Sequence, residues 1–514
     1  MDVRPRSSFL LGAATNWLAF AATLGVSFFL TPYLIASLGK PRYDVWCVVE
    51  SVLTYFTLLD LGVAACLVRA VARNHTTGNR DQLNRLASAC LAVFLAAGVV
   101  SLAIGAPILL ALAPTLEAKA DGADDVMPFM LLMLFNLAAT LPLSLFASVL
   151  DGLERFSAKS AVRIGFLLLR TTGILFVMTT RPGLVPLAVV YTLSNIAEHT
   201  VLACLCFRFL PGLHFSRRLV DRATLKHVKG SSTDAFLAML AGRISVQTGA
   251  IVIGLFLPPG SVTYFVTAGR LVEYAKTLLR TVTTTLTPGV SAMEARGDHA
   301  GIGRLFVNAT RWVLYLVVPV NLGLWFFAGP FLARWVGPDF VAGSYPATAI
   351  LAATLSIGVA QSVGSRILYG LGRLKVFARL ALAEAGLNVV LMVLLIRPLG
   401  VEGVAIAVAI PNLLFCVAVL GIVMRELDVS MGAYLREGWL RPVLAGCVPT
   451  AVWFAFGDVE PTWLAIAVAI GAGLVPYALV IGGMERSAAL LRNAAYLFVV
   501  VDHLQKFVRR NPAK

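Results

Sequence analysis

Apolar residues run along this chain in stretches of about 20, long enough to cross a ~30 Å hydrocarbon layer as helix, and polar residues gather in the short gaps between them. About fourteen such stretches can be drawn, at 10–36, 43–68, 86–113, 126–150, 160–180, 183–207, 230–257, 262–290, 305–328, 345–369, 376–396, 401–424, 441–457 and 461–483. Segments such as 131–150 and 391–423 are apolar on nearly every side, which suits a lipid-embedded helix and not the ~10-residue dyad alternation of an outer-membrane barrel strand. The first stretch is read as a span and not as a cleaved leader, because it holds Asn16, Trp17 and Pro32 and lacks a small-residue cleavage site. After Gly483 the tail Glu485–Lys514 reads as an amphipathic helix with a basic end, lying on the inner leaflet.

The pattern also repeats. Leu150-Asp-Gly152-Leu153-Glu-Arg155 returns as Leu368-Tyr-Gly370-Leu371-Gly-Arg373, Arg181-Pro182 as Arg397-Pro398, and Gly78-Asn-Arg-Asp as Gly297-Asp-His. Three matches in the same order, each between apolar segments of the same rank, point to duplication. The expected fold class is therefore an all-α integral membrane protein of about 14 transmembrane helices, with two six-helix lobes related by an internal repeat plus two C-terminal helices. The boundaries fall at 1–229 for the first lobe and its cytoplasmic linker, 230–424 for the second lobe, and 425–514 for the added helices and tail.

Composition agrees with lipid as the solvent: 59% of the 514 residues are hydrophobic and 13% charged, with a mean hydropathy of +0.84. A net charge of +15 raises the question of nucleic acid, and the placement of the charges answers it. With the N-terminus inside, most Lys and Arg fall in cytoplasmic connections, richest from Arg208 through Arg217, Arg218, Arg222 and Lys226 to Lys229, whereas the outer loop after the third span carries Glu117, Asp121, Asp124 and Asp125. The basic residues stand singly beside helix ends, facing anionic lipid, without an aromatic and basic reading surface for nucleic acid. Both termini are expected in the cytoplasm.

Seven cysteines lie within or beside apolar spans without metal-ligand spacing, and six histidines never fall into H-E-x-x-H. Gly301-Ile-Gly303 lacks the third glycine and the Lys-Ser/Thr of a phosphate loop. No metal, no cofactor and no direct ATP drive are expected.

Tyr43-Asp-Val-Trp46, Ser51, Tyr55 and Leu59-Asp60-Leu61-Gly62, followed by a basic loop, resemble the start of bacterial polysaccharide and lipid-linked oligosaccharide flippases of the multidrug/oligosaccharidyl-lipid/polysaccharide (MOP) exporter superfamily. Leu150, Gly152 and Arg155-Phe156 after the fourth span, then Tyr264, Gly269-Arg270-Leu271, Pro288 and Gly297-Asp298, are similar to that family as well, so the likeness covers nearly the whole chain. The resemblance implies two six-helix lobes around a central cavity, two extra helices, and movement of a polyprenyl-pyrophosphate-linked glycan from inner to outer leaflet of a bacterial cytoplasmic membrane, feeding lipopolysaccharide O-antigen, capsule or exopolysaccharide. Partners implied are the lipid-linked glycan, membrane lipids and a polysaccharide polymerase or export machinery. The chain departs from the family's common pattern in the seventh span, where an acid is absent and Gln247 stands nearby, which puts cation coupling through that position in doubt.

An ionisable side chain near mid-bilayer costs roughly 2.5–3.5 kcal/mol, so each needs a partner, water or a ligand. The densest group is Arg243 on the seventh span with Arg270, Glu273, Lys276 and Arg280 on the eighth. Helical spacing places Arg270, Glu273, Thr277 and Arg280 on one face with Lys276 at its border. One acid cannot neutralise four bases in hydrocarbon, so Arg243, Arg270, Lys276 and Arg280 are the expected substrate-binding residues, guanidinium forks and an ammonium meeting a pyrophosphate, and Glu273 a charge partner. The competing reading ties Glu273 to Arg243 or Arg270 as a structural bridge and leaves the rest snorkelling. Arg170 and Glu198, at similar depth on adjacent helices, read as a structural pair, with proton coupling at Glu198 the alternative.

The expected activity is transport by alternating access, without enzymatic chemistry. A drug or organic-cation antiporter of the same superfamily would want acidic and aromatic walls, which a basic mid-depth helix opposes. A membrane glycosyltransferase or glycan polymerase would need catalytic acids on a sizeable outer loop, and the segment 117–125 is the only candidate.

Overall fold

The computed structural model describes residues 6–60, 62–77, 79–120, 122–220, 233–284 and 286–485. Arg222, Lys226 and Lys229 of the linker, and the tail beyond Glu485, lie outside the described residues. Among the described residues every regular element is helical. The helices are α1 (Arg6–Leu38), α2 (Lys40–Phe56), α3 (Val63–Thr77), α4 (Arg80–Lys119), α5 (Val126–Gly152), α6 (Phe156–Thr180), α7 (Leu184–Phe209), α8 (Thr233–Phe256), α9 (Ser261–Thr284), α10 (Leu286–Glu294), α11 (His299–Trp335), α12 (Asp339–Ala353), α13 (Leu355–Gly370), α14 (Leu374–Glu426), α15 (Met431–Phe456) and α16 (Trp463–Met484).

Ten of these are long and apolar enough to cross a membrane, or up to twelve if the bent pairs α2–α3 and α12–α13 each count as one span. The bends, 43° and 42°, interrupt stretches that hydropathy alone draws as single runs. At the first, the chain makes a 3₁₀ turn over Thr57–Asp60, Gly62 takes a positive φ of 77°, and the Asp60 carboxylate accepts from the Ala64 amide at 3.0 Å to start α3. The 53-residue α14 would be about 80 Å long if straight, far beyond one bilayer crossing. It breaks at Gly400, whose φ of 57° and ψ of −133° suit only a residue without a Cβ.

One expected loop is mostly absent. The connection read at 329–344 shrinks to three residues, because α11 continues to Trp335 and α12 starts at Asp339. Leu332, Trp335 and Phe340 are all buried, so packing carries the helices past Pro330.

By internal contacts the chain divides into two compact units, Met1–Val266 with Val389–Val404, and Thr267–Asn388 with Ala405–Lys514. α8, placed by the sequence repeat at the head of the second half, belongs to the first unit.

The repeated sequence motifs adopt the same local structure within their own units. Gly152 ends α5 where an added Cβ would lie 2.6 Å from Val71 Cβ of α3, and Gly370 ends α13 where one would lie 2.6 Å from Val290 Cγ1 of α10. Both helices close with a left-handed residue, Glu154 (φ 58°) and Gly372 (φ 70°), and with an amide reaching back five residues, Arg155 to the Leu150 carbonyl and Arg373 to the Leu368 carbonyl. Asn79 and Asp298 each cap the helix that follows, accepting from the amides of Gln82 at 3.1 Å and Gly301 at 2.8 Å.

In the second unit the C-terminal helices are fastened to α11 by polar bonds sunk among aromatic rings. Trp453 donates its indole N–H to the Ala469 carbonyl at 2.9 Å and packs edge-on against Phe327. Glu485, 2% exposed at the end of α16, accepts from Arg441 Nη1 and Tyr315 Oη, both at 3.1 Å, and lies 3.8 Å from Arg311 Nε. Tyr477 donates to the Tyr315 carbonyl at 2.8 Å.

Candidate functional site

α9 differs from the long helices around it by carrying Arg270, Glu273, Lys276 and Arg280 within three turns, a density that removes it from the set of plainly apolar spans. Among the described side chains of the second unit, Arg270 and Lys276 are half-buried and Glu273 is exposed. The Thr277 hydroxyl donates to Glu273 Oε1 at 3.5 Å, so these two share a face one turn apart. Lys276 and Glu384 of α14 both lie within electrostatic reach of the buried Cys416. Arg280 sits on the described helix, but its side chain lies outside the described residues. Arg243, on α8 in the first unit, is half-buried and has no hydrogen bond or ion pair among the described residues.

Arg170 of α6 and Glu198 of α7 form an ion pair within the first unit. Arg170 Nη2 donates to Glu198 Oε2 at 3.0 Å, Arg170 Nε donates to the Ser194 hydroxyl at 3.0 Å, and the guanidinium lies 4.9 Å from the centre of the Tyr191 ring. Trp46 packs edge-on against Tyr191, and Asn195 Nδ2 donates to Asn136 Oδ1 at 3.3 Å, so a polar seam ties α5, α6 and α7 together. Buried charge is matched here and partly desolvated on both sides, with side-chain exposures of 17% and 12%.

The most heavily bonded group of the first unit is one that sequence reasoning did not single out. Asp44, buried near the start of α2, accepts from the backbone amides of Gly260 at 2.6 Å, Thr263 at 2.7 Å and Val262 at 3.4 Å, and from the Thr263 hydroxyl. It thereby satisfies the free amides at the N-terminus of α9 and lies at the positive end of that helix. Beside it, Lys40 Nζ donates to Tyr264 Oη at 2.7 Å, and the Thr263 hydroxyl also lies 3.2 Å from the Lys40 carbonyl. From this latch α2 runs along α8: Val48 fills the space over Gly254, where an added Cβ would collide with it, and the hydroxyls of Tyr55 and Thr248 meet at 2.6 Å. Lys119, at the end of α4, reaches the same turn. Its ammonium donates to the carbonyls of Gly254 at 2.7 Å, Leu255 at 3.2 Å and Leu257 at 2.6 Å. Tyr43-Asp-Val-Trp46 belongs to the motifs of the family resemblance, yet nothing in it names the turn at Pro258-Pro259 as the partner of Asp44.

Among the described residues no group of His, Cys, Asp or Glu is arranged to hold a metal ion. All seven cysteines are free thiols. Of the acids between α4 and α5, Asp125 accepts from the Leu184 amide at 3.0 Å and so ties down the start of α7.

A model of the polysaccharide biosynthesis protein family matches residues 11–294. The chain is 24% identical over 424 residues to "Uncharacterized membrane protein EpsK" of Bacillus subtilis, covering 79% of this chain and 81% of that one. It is 27% identical over 197 residues to "Probable lipid II flippase MurJ" of Bdellovibrio bacteriovorus, covering 37% and 38%. A solved structure of the lipid II flippase MurJ in an inward closed conformation superposes with a TM-score of 0.72 over 93% of this chain and 99% of that one, at 13% identity, which shows a shared fold.

Proposed function

The chain belongs to the polysaccharide biosynthesis protein family of the MOP exporter superfamily, a family of membrane transporters and not of enzymes, and we propose that it carries a polyprenyl-pyrophosphate-linked oligosaccharide across the bacterial cytoplasmic membrane by alternating access. The observation that carries this reading is α9: within three turns it holds Arg270, Lys276 and Arg280 against the one acid Glu273, where an ionisable side chain near mid-bilayer costs roughly 2.5–3.5 kcal/mol. An anionic headgroup is attracted to that local basic excess. Arg243, Arg270, Lys276 and Arg280 take its pyrophosphate, the guanidiniums by forked hydrogen bonds and the ammonium as a point charge, while Glu273 limits the surplus so that the ligand can leave. The lipid tail stays in the bilayer. Relatives named as a probable lipid II flippase and a probable low-salt glycan biosynthesis flippase support a cargo of that class.

In this reading the broken helices supply the count of fourteen spans: α14 crosses twice, turning at Gly400, and α9 with α10 makes one crossing despite its charges. Both termini are cytoplasmic, by the excess of Lys and Arg in the inner connections. The α8–α9 turn then lies at the outer face, and the seam of α2 along α8 with the Asp44 latch forms the closed outer gate. Downstream, a polymerase or export assembly receives the product. Cationic drugs, the cargo of other members of the superfamily, would be repelled by α9.

Reconstitution tests this directly. Full-length protein in vesicles is expected to move a fluorescent lipid-linked oligosaccharide between leaflets above the rate of empty vesicles, with Arg270→Gln plus Lys276→Gln lowering the rate by about tenfold or more, the loss of one to two charge-assisted contacts. Exchange no faster than in empty vesicles refutes the proposal.

A further inference from the structure

The turn joining α8 to α9 is deprived of hydrogen-bond donors by its own sequence. In a helix ending near Phe256, the Gly254 and Leu255 carbonyls look to the amides of residues 258 and 259, and both of those are proline, with no N–H to give. Leu257 N still reaches the Ile253 carbonyl at 2.9 Å, and Ser261 N turns back to the Pro258 carbonyl at 3.3 Å, which leaves the Leu257 carbonyl without that donor too. Lys119 fills all three vacancies with one ammonium, at 2.7, 3.2 and 2.6 Å. A positive charge at a helix C-terminus also meets the favourable end of the helix dipole.

Four residues further on, the opposite deficiency is met by the opposite charge. The first amides of α9 have no carbonyl partners within the helix, and the Asp44 carboxylate accepts from two of them, Val262 and Thr263, and from that of Gly260 just before the helix. Lys119 comes from α4 and Asp44 from α2, and both converge on a connector stiffened by two prolines, with Gly260 at a φ of 90° that an ordinary side chain would strain.

We propose that Lys119 is a positioning residue of the outer gate, acting with Asp44 as a two-ended clamp on the α8–α9 turn, so that release of the Lys119 end from the carbonyls loosens the Asp44 end as well. The stiffness of Pro258-Pro259 makes the coupling: a turn with its torsions fixed moves as a unit, and the amides held by Asp44 cannot keep their geometry when the carbonyls held by Lys119 swing away. The clamp also makes release cooperative, because when the turn departs Lys119 and Asp44 lose their backbone partners together. This inference rests on the transport reading for the word gate, but the coupling itself is a property of the turn.

Hydrogen exchange of the full chain in lipid nanodiscs, without substrate, separates the two. The amides of Gly260, Val262 and Thr263 are bonded to Asp44 and none is touched by Lys119. Lys119→Met is expected to speed their exchange by about tenfold or more, towards the rate in Asp44→Asn, and Lys119→Arg to hold it within about twofold of the unaltered protein. Exchange along Val126–Gly152 is the folding control, and Lys119→Gln replaces the methionine variant if that control moves. If loss of the ammonium leaves those three amides within about twofold of their original rate, Lys119 caps α8 alone and the clamp is overturned. If the variants show the coupling while the unaltered protein moves no lipid-linked glycan, the clamp stands and the transport reading fails.

Discussion

Replacing Glu485 by glutamine removes one charge from the buried knot that fastens α16 to α11 and α15, and the cost follows from the distances. Arg311 is mostly buried and faces Glu485 at 3.8 Å, a separation worth about 4 kcal/mol at an effective dielectric near 20. Arg441 is closer, at 3.1 Å, but 49% exposed, so solvent screens that pair to about 0–1 kcal/mol. Glutamine keeps the shape and can still accept from Tyr315 Oη, and it is spared the desolvation of a carboxylate. The net loss should therefore be about 3 kcal/mol, at the low end for a buried pair broken from one side. It arises mainly from Arg311 left with Asn308 as its remaining bonded neighbour, at 3.1 Å. Because the penalty is an unpaired charge, Arg311→Met in the same chain should return most of it. Thermal unfolding in detergent, with chymotrypsin cleavage after Phe456, between α15 and α16, as the local readout, should rank the unaltered protein and the double variant together above Glu485→Gln. A double variant no more stable than the single one refutes the electrostatic account and assigns the loss to packing.

Two further outcomes follow from the packing of the first unit. Gly254→Val should collide with Val48 and force α2 off α8, opening the seam; cross-linking of cysteines placed at Tyr55 and Thr248 should fall sharply in that variant, and undiminished cross-linking would show that the helices repack around the added bulk. Arg170→Met should destabilise the protein by about 3–5 kcal/mol through a stranded Glu198, and adding Glu198→Gln should recover most of it; if transport then survives in the neutral double variant, Glu198 carries no coupling proton.

Much of the fold was legible in the sequence because a bilayer makes hydropathy and length decisive: the apolar runs and the helices agree in order from α1 to α16. The repeat was legible for a different reason. Gly152 and Gly370 are held to glycine by a valine one helix away, and Asn79 and Asp298 by the amides they cap, so the matching letters are those with a local steric or hydrogen-bonding duty. What escaped was tertiary. The break after Phe56 is a short 3₁₀ turn inside an apolar run, invisible to an average over 20 residues although Asp60 and Gly62 marked it. Lys119 carries no local signal of its role, standing at a helix end as many other bases do. The signal that could have found it lay more than a hundred residues away, in two prolines that leave carbonyls without donors, and a donor inventory of each helix end would have asked for a cation there. The charges of α9 were plain from spacing alone, whereas their partners depend on packing that no periodicity encodes.

The turns that end α5 and α13 share a conformation but not its cost. Where the turn after α13 carries Gly372, the turn after α5 holds Glu154 in the same left-handed conformation, at a strain of about 1 kcal/mol for an L-residue. A mutational scan should therefore find the two positions unequal: every non-glycine residue is a step down at 372, while at 154 the chain already lives with a side chain, and drift there has room to explore.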